Sequence, residues 1–313
     1  MARVWDRCDS STRSWLVLAF AMAAGAQVQG QIYVSEYYDA NHAFVRQYNS
    51  SGTLVNPTLI SDLHHPNFMA LDGAGQLYVS DEAAINVGKY TASGTPVNPL
   101  LISGLYYEPE GIAISGNNLF VARFAADQSN LSSIGLYTTS GATINASLIT
   151  GPVGFTGIAL DGNGHIFVAN DLTGTIGEYT TSGATVNASL ISGLNGPWGL
   201  ACDGNGHLFV SDNWGGDIRE YSTSGEVINA SLATGLNRPG GIALDGNGHL
   251  FVCFDEDARV AEYTTSGDLV NPAFISGFRA VGIVIAPEPC SVMLFAIGSA
   301  FLIRRRRRCV RTS

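Results

Sequence analysis

The chain has 313 residues, enough for one large β domain or two ordinary ones. With 37 glycines, charged residues at 13% and a single lysine, Lys89, it suits short strands joined by tight turns and excludes a helical bundle. The formal charge of -10 hides an asymmetry: nine of the sixteen basic residues lie at the two ends, while residues 27 to 286 carry seven basic against 23 acidic side chains. A folded region of that sign repels phosphate backbones, which excludes nucleic acid as its partner.

In chain order, the first segment carries Arg3, Arg7 and Arg13, then an apolar run from Trp15 to Ala24, then the small residues Ala24, Gly25 and Ala26. Basic region, apolar core and small-residue cleavage site predict a helical signal peptide over residues 1 to 26, removed by signal peptidase. The run is too short for the roughly 20 apolar residues of a spanning helix.

From residue 27 to 286 one unit is written repeatedly. An apolar tetrad recurs as IYVS at Ile32, LYVS at Leu77, LFVA at Leu119, IFVA at Ile166, LFVS at Leu208 and LFVC at Leu250, at spacings of 45, 42, 47, 42 and 42 residues. Each tetrad after the first is preceded by a small apolar strand such as GIAL at Gly157 or Gly241 and, in three units, by a DGNG turn at Asp161, Asp203 or Asp245. Glycine there supplies the positive φ of a tight hairpin. A third strand ends in Tyr48, Tyr90, Tyr137, Tyr179, Tyr221 or Tyr263, predicted to pack between units. A fourth begins near Asn56, Asn98, Asn145, Asn187, Asn229 or Asn271. A period of about 42 residues with four strands belongs to propeller blades.

The region opens on a second strand at Ile32 and closes on a first strand at Gly282 to Ile285, so the two ends must share a blade. The predicted fold is therefore all-β, a six-bladed β-propeller of four-stranded blades whose ring is closed by the C-terminal strand. Cys202 and Cys253 fall inside apolar strand patterns and read as free, buried thiols. His165, His207 and His249 occupy one slot of three successive units and point along diverging radii, unlike ligands of one zinc ion. N-x-S sequons stand at Asn49, Asn130, Asn145, Asn187 and Asn229, and the blade-periodic Asn145, Asn187 and Asn229 read as strand-entry residues.

The last segment, 287 to 313, runs Pro287, Glu288, Pro289, an apolar stretch from Cys290 to Ile303, then Arg304, Arg305, Arg306, Arg307 and Arg308. The stretch predicts a transmembrane helix of about 21 Å, with the arginines held in the cytoplasm and the propeller outside. The three-part order resembles the PEP-CTERM sorting signal of Gram-negative bacteria. That resemblance implies an inner-membrane-anchored precursor, recognition by an exosortase-type enzyme, and delivery to the cell surface or extracellular matrix.

The PxGIALDGNGxLFVSD string from Pro239, with variants from Pro197 and Pro109, resembles NHL repeats and, more loosely, the gluconolactonase and streptogramin lyase propellers. Binding residues are then expected where loops open on the central funnel: Glu36, Asp81, Glu82, Arg123, Asn170, Asp171, Trp198, Asp212, Asn213 and Asp255. Converging carboxylates and amides suit a hard cation such as Ca²⁺, and the same Asp and Asn residues also suit loop-backbone hydrogen bonds. No cofactor is assigned. The reading is an exported binding or structural module taking a glycan, peptide or protein. The alternative is a metal-dependent lyase or lactonase with His64 or His65 as base beside Glu108 or Glu110.

Overall fold

The computed structural model describes residues 30–39, 42–125 and 131–286. The expected leader and sorting tail, with their expected helices and the Pro287 to Arg308 motif, lie outside the described residues. Within them, 24 strands form six four-stranded sheets arranged as propeller blades. The closing blade joins the chain ends: Ala280–Ile285 is its inner strand and pairs with Ile32–Asp39, followed by His42–Tyr48 and Leu54–Ile60. Ile32 faces Ile285, Tyr33 faces Val284 and Val34 faces Ile283. Ala286 N–H adds a bond to the Gln31 carbonyl at 2.9 Å.

The other blades run in sequence from inner to outer strand, with inner strands Pro66–Leu71, Glu108–Ser115, Phe155–Leu160, Pro197–Cys202 and Pro239–Leu244. Inner strands begin a few residues before the apolar tetrads that mark them, and their register breaks at the glycine. Phe155 faces Asn170 and Ile158 faces Val168, so one extra residue bulges on the inner strand.

That bulge sits at the tightest point of the ring. A Cβ at Gly111, Gly157, Gly199, Gly241 or Gly282 would stand 2.1 to 2.7 Å from a carbonyl oxygen of the next inner strand, so only glycine fits. Ser211 exploits the freed backbone: its Oγ accepts Gly199 N–H at 2.8 Å and donates to the Gly240 carbonyl at 2.7 Å, tying two blades together. Ser35 does the same between Gly282 and Asn67, at 2.8 and 2.6 Å. In the sixth inner strand the slot holds Phe68, whose ring meets Trp198 across the axis, 6.4 Å between centroids.

Apolar packing lies between blades, in six clusters, one for each neighbouring pair. The six repeated tyrosines are all buried there, each against the preceding blade. The DGNG turns hold the opposite face from the funnel, Asp161 Oδ1 accepting the N–H groups of Asn163 and His165 at 2.7 and 3.0 Å. His207 and His249 stand beside Glu220 and Asp245 there, and those carboxylates push both imidazoles up from their ordinary range. Cys202 and Cys253 are free thiols, Cys253 fully buried and Cys202 half-buried.

Replacing Gly157 by alanine drives a methyl group to 2.1 Å from Trp198 O and is expected to cost about 1–3 kcal/mol in urea unfolding. Gly73→Ala, with open space around its Cβ, should stay within about 0.5 kcal/mol of the parent.

Candidate funnel site

Where the inner strands begin and the second strands end, the ring opens into a cavity of about 380 Å³ at one end of the axis. Two layers of side chains line it, and both follow from strand alternation. The residue immediately before the glycine slot gives the lower layer: Asn67, Glu110, Trp198, Gly240 and Val281, while Thr156 at the same slot instead donates to the Pro197 carbonyl at 3.1 Å. The second residue after each apolar tetrad gives the upper layer: Tyr37, Glu82, Phe124, Asp171, Asn213 and Asp255, all six at the cavity.

The first residue after each tetrad points the other way, into the blades, because successive strand side chains face opposite sides. There stand Glu36, Asp81, Arg123, Asn170, Asp212 and Phe254, all buried and none lining the cavity. Glu36 is paired with Arg46 at 2.5 Å. Asp81 accepts His64 and His65 N–H, both at 2.8 Å. Arg123 reaches outward to Ser133 and Ser147 at 2.6 and 3.1 Å. Asn170 accepts Thr173 N–H at 3.0 Å, and Asp212 accepts Asn195 N–H at 2.7 Å while lying 3.2 Å from Arg219. The structure thus separates the ten expected funnel residues: Glu82, Asp171, Trp198, Asn213 and Asp255 reach the cavity, and the other five hold loops and blades in shape.

Of the four catalytic candidates, His65, Glu108 and Glu110 line the cavity, and His64 lies outside it. His65 Nδ1 is 2.7 Å from Glu82, and its ring rests on Tyr37 with 3.9 Å between centroids. Tyr37 and Phe124 also line the cavity and were not among the residues expected from sequence. The signal for them was positional, since they occupy the slot of Glu82 and Asp171 in other repeats.

The cavity is electrically lopsided. On one side Arg279 clamps Asp255 with two bonds of 2.7 Å, and Arg238 meets Glu256 at 3.1 Å while its guanidinium lies 3.8 Å over the Trp214 ring. On the other side Glu108, Glu110 and Asp171 have no Lys or Arg ion pair among the described residues. Burial, then repulsion from Glu82, Glu108 and Asp171, raises the Glu110 carboxyl well above the ordinary range. Burial first, with repulsion from Glu82, raises Glu108, and burial pushes Asp171 up to about 6 against the pull of two backbone N–H bonds. Among the described residues no three His, Cys, Asp or Glu side chains are grouped to hold a metal ion. A Ca²⁺ here would have to draw the carboxylates closer to collect its six to eight oxygens.

The fold is shared with known propellers. A chain of a nidogen/laminin complex superposes with a TM-score of 0.66 at 16% identity, covering 83% of this chain and 99% of that one. A protein of unknown function from Bacteroides caccae gives 0.64 at 16% identity, over 83% and 100% of the two chains. A streptogramin B lyase gives 0.59 at 17% identity, over 80% and 86%. At such identities the likeness is one of fold. No protein-family model matches the sequence, and the curated proteins yield no match either.

An acid whose native pKa is raised costs stability as pH climbs from its unfolded value to its native one. For Asp171 that window runs from about 4 to about 6. Asp171→Asn should therefore melt higher than the parent at pH 7.5, by roughly 1–2 kcal/mol after allowance for solvent screening. The advantage should vanish by pH 4 in thermal unfolding.

Proposed function

We propose that this protein is an exported binding propeller, carried out by its leader and displayed through its Pro-Glu-Pro and arginine tail at the surface or in the extracellular matrix of a Gram-negative bacterium. On this reading signal peptidase and an exosortase-type enzyme are its processing partners, and the inner membrane holds it in transit. The ligand, a glycan, peptide or protein group, seats in the funnel. The observation that carries the binding role is the axial cavity itself, in which a repeated scaffold presents different side chains at equivalent slots: Asn67, Glu110, Trp198 and Val281 in one layer, Glu82, Asp171 and Asn213 in the other. Packing alone would tolerate the same residue in every blade. A concave site with aromatic walls and few convergent polar groups is where a propeller takes a ligand.

A metal-dependent lyase or lactonase remains the second reading. The His65 and Glu82 contact at 2.7 Å with Glu108 in the same cavity supplies a candidate base beside carboxyls, and one propeller of like fold is a streptogramin B lyase. Elemental analysis of the purified protein and assays for lactone opening test it. Activity lost in His65→Ala with Glu108→Ala would support it, whereas no bound metal and no turnover would end it.

For the binding role, a screen of glycans, peptides and small metabolites against the purified protein should find a ligand that shifts tryptophan emission. Trp198→Ala should weaken it at least tenfold. A screen without any saturable ligand would contradict the reading. Intact mass of the exported protein should show loss of the leader and of a tail beginning near Pro287; retention of residues 1 to 26 would contradict export by this route.

A further inference from the structure

We infer that the funnel receives an organic cation, an alkylammonium or guanidinium group, seated among the Glu110 and Asp171 carboxyls and the side-chain carbonyl of Asn67. This deepens the binding reading above and rests on it.

Three features of the cavity converge. First, its carboxylates are unevenly neutralised: Asp255 and Glu256 have Arg279 and Arg238, while Glu108, Glu110 and Asp171 face one another without an arginine or lysine. Grouping three acids this way, Glu110 buried and Glu108 and Asp171 half-buried, is costly, and a native fold retains it where something supplies the missing positive charge.

Second, Asn67 is 1% exposed and lines the cavity, donating its amide N–H to Glu110, and its Oδ1 has no hydrogen-bond partner. An orphaned buried acceptor is rare and costly. Asp171 Oδ1 is likewise buried and unpartnered. What the site lacks is therefore hydrogen-bond donors. Ammonium, with three donors and no acceptor, and guanidinium, with five, match that deficit, whereas a sugar hydroxyl brings lone pairs toward carboxylates.

Third, aromatic rings stand in the cavity beside these acids. Trp198, packed on Phe68, together with Tyr37 and Phe124, offers faces to an alkyl stem or to the cation itself. The protein already uses this chemistry at the rim, where Arg238 covers the Trp214 ring. The cavity of about 380 Å³ suits a small amine or one basic side chain of a partner protein.

Tryptophan fluorescence and calorimetry on the purified protein, with n-butylammonium, agmatine and a lysine-containing peptide, test the inference against n-butanol and a neutral oligosaccharide. The cations should saturate the signal and butanol should not. Glu110→Gln and Asp171→Asn should each weaken binding at least tenfold while melting no lower than the parent. Affinity should also fall between pH 8 and pH 5, as Asp171, which shares the cavity with Glu82, Glu108, Glu110 and His65, takes up a proton. Binding of the peptide without the free amines assigns the cation to a protein partner. Equal binding of butanol, or a neutral ligand indifferent to both substitutions, overturns the inference and leaves the binding reading standing. Absence of any funnel ligand overturns both.

Discussion

Six inner strands converge on one axis, and each must lie against the backbone of the next. At five of the six contacts there is no room for a Cβ, so glycine is the only residue that lets the blades approach, with a carbonyl oxygen as close as 2.1 Å to where a side chain would begin. The inner-strand bulge, the serine bridges from Ser35 and Ser211, and the closure of the ring by Ala280–Ile285 on Ile32–Asp39 follow from that approach. Apolar surface is then buried in wedges between blades rather than in one central core. No blade could bury its faces alone.

The same convergence makes the site. Where glycines bring the strands together, the residues one step earlier are forced to the funnel mouth, and strand alternation sets the second residue after each tetrad above them. The scaffold repeats and these slots do not. Because the ring is closed and rigid, side chains from six blades, distant in sequence, are held at fixed separations around a small volume. There, unneutralised carboxyls can be kept in the state that burial dictates. The sixth blade departs at Phe68, which spans the axis to Trp198 and gives the cavity an aromatic wall.

Much of this was legible in the sequence, because a repeat announces itself: the tetrads gave the blade number, and a second strand at the start with a first strand at the end gave the closure. The turn chemistry of Asp161 and its counterparts was equally plain. What could not be read directly was side-chain direction. Asp81 and Glu82 are adjacent and both acidic, yet Asp81 is spent on His64 and His65 N–H while Glu82 faces the cavity. Arg123 belongs by charge to a funnel and by parity to its own blade. Counting parity from each tetrad would have separated the two sets and also found Tyr37 and Phe124. The coupling of Asn67 to Glu110, 43 residues apart, depends on how neighbouring inner strands abut, which no local pattern encodes.

Closure of the ring rests on the joint between the chain ends. Amide hydrogen exchange followed by mass spectrometry addresses it directly, because strands of one cooperative ring open together. Segments 32–39 and 280–285 should share the slowest exchange class with the inner strands, and a chain ending before Ala280 should lose protection in 32–39 as well. Fast, independent exchange of 280–285, with 32–39 protected whether or not that strand is present, would show that the ring is not closed there.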